Sequence, residues 1–237
     1  MKNPLSGWLG RKPPDPSKLA TIKDALAILG KDNVILESKA KKVLRVMRLF
    51  PLHISYTRGV LEKCAEENTK GEHYSLFPKY GLPMLRLREL YPKEFCVSSV
   101  WDNGSSWLST TSMPDYLLVN LKLQMIRSRK AAEIGKGFPK LGRVRYYATH
   151  PNLTRLRLST VAELLLVYRF LHDERLLAAT YHAASVVDQA VPIIGGYDEQ
   201  GVLVYTLPKG VLNLKYGIDS LGVLMCVHPE RKQASSL

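Results

Sequence analysis

Residues 201–229, GVLVYTLPKGVLNLKYGIDSLGVLMCVHP, leave this chain little choice of local structure. Short aliphatic and β-branched blocks are broken by Gly201, Gly210, Gly217 and Gly222, a pattern of strands separated by turns rather than of a helix. The stretch predicts a strand, a turn carrying Lys209, a turn-rich segment and a final strand. Such strands need partners. DYLLVNLKLQMI (115–126) alternates well enough for one, GRVRYYAT (142–149) for a second, and TRLRLS (154–159) for a third or for a turn into the next helix.

Helices are predicted between them. Leu19, Ile22, Ala25, Leu26 and Leu29 recur at helical spacing within 17–31, and Gly30 supplies the stop. A β-branched run at 33–36 precedes Ser38, a candidate cap for an amphipathic helix reaching Phe50. Pro51 closes that helix and LHISY follows as a strand. Residues 160–189 carry apolar positions at i, i+3 and i+4 and predict one or two amphipathic helices. The fold class expected is therefore α+β. Residues 57–113, rich in turn signals, read as an insertion of mixed helix and loop.

Charge narrows the function. The chain has 34 Lys+Arg against 21 Asp+Glu, a formal net charge of +13. Residues 116–157 hold ten bases, among them Arg143, Arg145, Arg155 and Arg157, and one acid, Glu133. Lys39, Lys41, Lys42, Arg45 and Arg48 form a second run without an acid. Solvated faces usually mix signs, so two single-sign clusters point to a polyanion. A membrane-surface protein would gather its bases on one amphipathic helix. Here the longest helical stretch is charge-balanced and the larger cluster falls among strands and loops with Tyr146, Tyr147 and His150, which favours nucleic acid, and RNA over DNA because no helix-turn-helix or finger spacing is present.

Several chemistries lack their residues. Cys64, Cys96 and Cys226 are odd in number and form no C-x-x-C pair, which argues against a disulfide framework or zinc ribbon and for a reducing compartment. The histidines show no metal-ligand spacing, GKGFPK at 135–140 lacks the phosphate-loop spacing, and no G-x-S-x-G elbow occurs. No enzyme, cofactor, metal or small-molecule substrate is expected. No run approaches a membrane-spanning length. The opening MKNPLSGWLGRKPPDPSK has no secretory apolar core, is free of acids up to Asp15, and carries an extended Pro-rich KPPDP.

Four segments, in order, resemble the universal small-subunit ribosomal protein eight family in a diverged, mitochondrial-looking form. NVILESKAKKVLRVMRLFPLHI is similar to the family's V-x-V-P-x-S-K-L-x-x-x-I-x-x-V-L-x-x-x-G-F-I, and YLLVNLKL stands at its hydrophobic-K-Y strand. ATHPN with TRLRLSTVAELL resembles its strand into S-K-P-G-L-R-x-Y and a helix containing E-L. VLVYTLPKGVL (202–212) and LGVLMCV (221–227) resemble I-L-S-T-S-K-G-V-M and G-G-E-V-L-C-x-V. The Ser-Thr-Ser turn reads Thr206-Leu207-Pro208 here, the glutamate is Val223, and the K and G of S-K-P-G are His150 and Asn152.

The resemblance implies two small α/β and α+β halves clamping an rRNA helix through shape and phosphate contacts. The implied organisation is a basic extension (1–16), an N-terminal half (17–56), an insertion (57–113), strands completing that half and opening the next (114–166), a helical insertion (167–197), an RNA-facing module (198–229) and a tail (230–237). The implied RNA contacts are Ser38, Lys39, Lys42, Arg143, Arg145, Thr149, His150, Asn152, Arg155, Arg157, Thr206, Lys209 and Gly210. The implied partners are small-subunit rRNA and neighbouring ribosomal proteins, without a membrane, in the mitochondrial matrix or else the chloroplast stroma. A viral matrix-like protein that binds anionic membrane and a nucleocapsid is the alternative from another class.

Overall fold

Thr21 starts the first helix. Its Oγ1 accepts from the Asp24 N–H at 3.2 Å and the Asp24 carboxylate accepts from the Thr21 N–H at 2.9 Å, a reciprocal capping box. Helix α1 (Ile22–Leu29) stops at Gly30, whose φ of +84° a glycine adopts readily. The computed structural model to which these elements belong describes residues 15–47, 51–102, 104–125, 153–183, 190–208 and 221–227. The predicted strand at 142–149 lies outside them.

The next helix departs from expectation at both ends. Helix α2 (Glu37–Leu44) has Leu36 at its cap with no capping side chain, so Ser38 stands in the first turn and is not the cap. The Tyr116 hydroxyl accepts from the Glu37 N–H at 3.2 Å and takes over that work. The helix ends at Arg45 (φ +50°), well short of Phe50. There the Tyr91 hydroxyl donates to the Val43 carbonyl, one of the terminal acceptors the last turn leaves free. The predicted strands flanking α2 also shrink. Val34 makes a single parallel bridge to Leu76, and the LHISY stretch forms no ladder, touching residues 18–20 through bonds such as Ala20 N–H to Tyr56 O at 2.8 Å.

Helices α3 (Arg58–Thr69), α4 (Met84–Leu90) and α5 (Ser106–Ser109) follow, with strand β1 (Tyr74–Lys79) between α3 and α4. Residues 57–113 therefore supply a strand as well as helix and loop. Strands β2 (Asp115–Met125), β3 (Leu153–Arg155), β4 (Tyr181–Ala183), β5 (Ala190–Asp198), β6 (Gly201–Pro208) and β7 (Leu221–Val227) complete one sheet, in the order β1-β2-β7-β4-β5-β6, with β3 also on β7. Every pairing is antiparallel except β4 with β7. The chain is thus α+β. Strand β7 is the seam, joining β2 on one flank to β3 and β4 on the other.

The second correction concerns residues 160–189. Helix α6 (Leu158–His172) ends where Asp173 turns left-handed (φ +55°); β4 occupies part of the stretch expected to stay helical, and β5, but for Asp198, falls within the helical insertion expected at 167–197. Nor is α6 amphipathic. Every residue from Leu158 to Tyr168 is buried, because α6 packs against β1, β5, α2 and α4 at once. Among the described residues β4 pairs with Ile193–Gly195 and not with Pro192, so there the proline's missing N–H removes no bond to β4.

Gly195 allows β4 and β5 to meet. A Cβ there would lie 2.2 Å from Thr180 O, at a φ of +154°. Gly195→Ala should therefore cost about 3 kcal/mol of unfolding free energy in urea, from combined backbone strain and overpacking. A variant as stable as the parent would show that the strands can part without loss.

Candidate nucleic-acid interface

Helix α2 divides its residues by direction. Ala40, Val43 and Leu44 are buried, and the helix packs on α6. Ser38, Lys39 and Lys42 are exposed on the other side, and the exposed Arg45 follows with its guanidinium 5.4 Å above the Tyr91 ring. The cluster is smaller than its sequence suggested. Lys41 is paired with Glu37 at 2.9 Å, an acid just before the acid-free run. Among the described residues Lys39 and Lys42 have no carboxylate partner.

The remaining predicted contacts are dispersed. Arg157 is exposed immediately before α6, and Arg155 lies on β3 opposite Met225 of β7. Thr206 is half-buried on β6, the far edge of the sheet, separated from β7 by β5 and β4. The structure therefore does not bring Thr206 to the β3–β7 seam. Arg143, Arg145, Thr149, His150, Asn152, Lys209 and Gly210 lie outside the described residues, as does Arg48. The residues that flank the basic segment between β2 and β3 lie at opposite ends of β7, Met125 opposite Gly222 and Leu153 opposite Val227.

Near Arg157 sits a cluster of charges around the buried Glu163 that sequence reading missed. Glu163 of α6 is fully buried, and its carboxylate accepts from the Tyr80 N–H at 2.8 Å and the Leu82 N–H at 2.6 Å. Burial pushes its carboxyl up to about 7 against those donors. Burial lowers the Lys79 ammonium, which Glu163 and Asp115 partly restore and Arg157 opposes. Asp115 is raised by burial in spite of donors from Tyr116 N–H at 2.7 Å and Ser55 Oγ at 3.3 Å. The one available signal was a lone glutamate in an apolar run.

Beside α2 opens a cleft of about 1110 Å³, floored by residues 51–55 and walled by Leu19, Ile22 and Leu36. Its exposed lining is mainly apolar, with Thr21, Glu37, Ser38, Lys41, His53 and Ser55 as polar members. The thiols of Cys64 and Cys226 are pushed up to about 12 by burial, which leaves them poor nucleophiles. Among the described residues no group of three His, Cys, Asp or Glu could hold a metal, and no helix is long and apolar enough to cross a membrane. No family model, curated protein or solved structure matches the chain.

Proposed function

We propose that this chain is a structural, non-catalytic RNA-binding protein that grips phosphates through the outer face of α2 and the basic β2–β3 connection. The observation that carries this reading is the pair Lys39 and Lys42, exposed on a rigid helix without a carboxylate partner among the described residues. Charges left unneutralised on a packed helix are available to a polyanion, and RNA helices are recognised mainly through backbone and shape.

The resemblance supplies the finer reading. It places the protein in the small ribosomal subunit of an organelle, most simply a mitochondrion, bound to an rRNA helix beside other ribosomal proteins. In that reading the two halves of the family fold share β7 as a seam, with α1 to β2 on one side and β4 to β6 on the other. Lys209 and Gly210 would meet the RNA beside Thr206, and Arg143, Arg145, Thr149, His150, Asn152, Arg155 and Arg157 would extend the contact.

The test is anisotropy with a fluorescent RNA hairpin across 50–200 mM salt. Lys39→Glu with Lys42→Glu should weaken binding roughly 10- to 100-fold and flatten the log–log salt slope by about 2. Salt-independent binding, or an unchanged double variant, overturns the phosphate grip. Sedimentation with the small subunit in a native lysate tests the finer reading.

One observation favours a matrix-like second reading. Met47 is fully exposed just after Lys39, Lys42 and Arg45, and an apolar side chain beside a basic helix suits an anionic bilayer surface. Flotation of the protein with phosphatidylserine vesicles, abolished by Met47→Asp, would favour it over RNA.

A further inference from the structure

Of the large apolar side chains left exposed among the described residues, only Phe170 is aromatic, and 46 % of its surface is open to solvent. It stands in the last turn of α6, two residues past the buried run that ends at Tyr168. The ring has a fixed neighbour. Phe170 and Tyr91 stack with ring centroids 4.7 Å apart and planes tilted by 34°. Tyr91 follows directly on α4, and its hydroxyl donates to the Val43 carbonyl of α2. The last turns of α2, α4 and α6 therefore meet at one tyrosine, which holds Phe170 in place.

The rim of this pair is cationic. The Arg45 guanidinium lies 5.4 Å from the centre of the Tyr91 ring. Lys42 precedes Arg45 by about one helical turn, and both are exposed. Lys93, two residues beyond Tyr91, is exposed as well. The acid closest in sequence to Phe170, Asp173, is paired with Arg169. The core of a protein interface is depleted of charge, and a helix lying on a bilayer presents an apolar stripe rather than one ring among cations. A fixed aromatic ring beside unneutralised cations suits an unpaired nucleobase, whose flat face stacks on the ring while its flanking phosphates meet the charges.

We propose that Phe170 is a stacking platform for one unpaired base of a bound RNA, with Tyr91 fixing the ring and Lys42 and Arg45 taking the flanking phosphates. This inference rests on the RNA reading and adds a selection to it. The phosphates supply the grip, and the ring favours an RNA with a bulged or looped-out base over a continuous duplex. Because the ring is already ordered, stacking on it costs little side-chain freedom.

The test uses the full chain and two RNA hairpins identical except at a single bulged nucleotide, a uridine in one and an abasic residue in the other. Anisotropy at low salt should show the parent binding the bulged uridine roughly ten-fold more tightly. Phe170→Ala should bind the two RNAs equally with an unchanged salt slope, while Phe170→Tyr keeps the preference. A 5-iodouridine at the bulge should photocrosslink to Phe170 or Tyr91. Equal binding of the two RNAs by the parent, or a preference that survives in Phe170→Ala, overturns the platform and leaves the phosphate grip standing. Failure to bind either RNA overturns both. Flotation with phosphatidylserine vesicles that Phe170→Ala abolishes would assign the ring to a membrane instead.

Discussion

Glu163→Gln will be least stable, relative to the parent, in acid. In the parent the buried carboxyl titrates near 7, above the value of about 4.5 it has in an unfolded chain. A folded group with a raised value holds its proton more tightly than the unfolded chain does, so its contribution is complete below about 4.5. It is lost as the pH rises to about 7 and changes no further above that. The difference corresponds to about 3 kcal/mol, and glutamine, which does not titrate, lacks it. At pH 7.5 the variant already loses about 1–2 kcal/mol, because an amide cannot accept from both Tyr80 and Leu82 without turning its own N–H toward one of them. The gap should widen by about 3 kcal/mol on going to pH 4.5. Urea denaturation of both proteins at pH 4.5, 6.0 and 7.5 measures it directly. Shifts at Asp115, Asp24 and Glu66 are common to both proteins and largely cancel. A gap that is constant, or that narrows in acid, would mean that Glu163 sits charged in the fold.

The second large effect belongs to His182. On its inner flank β7 is covered by β4 at residues 221–222 and by β3 at 225–227. Leu224 falls between them. The buried imidazole fills the gap, with Nδ1 accepting from the Leu224 N–H at 2.8 Å and Nε2 facing Leu156 O at 3.0 Å. Because Nδ1 accepts, the ring proton is on Nε2 and is donated to Leu156. The Leu156 N–H returns to Leu224 O at 3.1 Å. His182→Leu leaves a buried N–H and a buried C=O without these partners, each costing about 1–3 kcal/mol, so a loss of about 4 kcal/mol is expected. That is a large share of a typical domain's 5–15 kcal/mol. If the variant unfolds at the parent's urea midpoint, the ring is not what closes the sheet.

How much of this was legible depends on whether the signal was local. The Gly30 stop and strands β2, β6 and β7 were readable because stop signals and alternation are written within a few residues; the Thr21 and Asp24 box, equally local, was missed. Strand β5 was hidden by Pro192 and Gly195-Gly196, which signal turns when read locally. The end of α2 depends on a hydroxyl from Tyr91, and its start on one from Tyr116, far along the chain. The burial of α6 on all sides cannot be told from spacing, since its apolar positions fit an amphipathic helix equally well. For the candidate site, the excess of base was plain from composition. Its division was not, because Lys41 turns inward to Glu37 while Lys39 and Lys42 stay free to face solvent.

The position of β7 has a consequence for the protein's birth. Its partner β2 is finished at residue 125, yet β7 is completed only at residue 227, on the order of 100 residues later. At about 5–20 residues per second the ribosome takes roughly 5–20 s to deliver the missing strand. Throughout that interval the long flank of β2 stands open as an unpaired edge with a largely apolar sequence. A nascent chain in that condition is exposed to wrong pairings with its neighbours on the same message. Slowing translation between residues 125 and 227 should therefore lower the soluble yield, while speeding it should raise it.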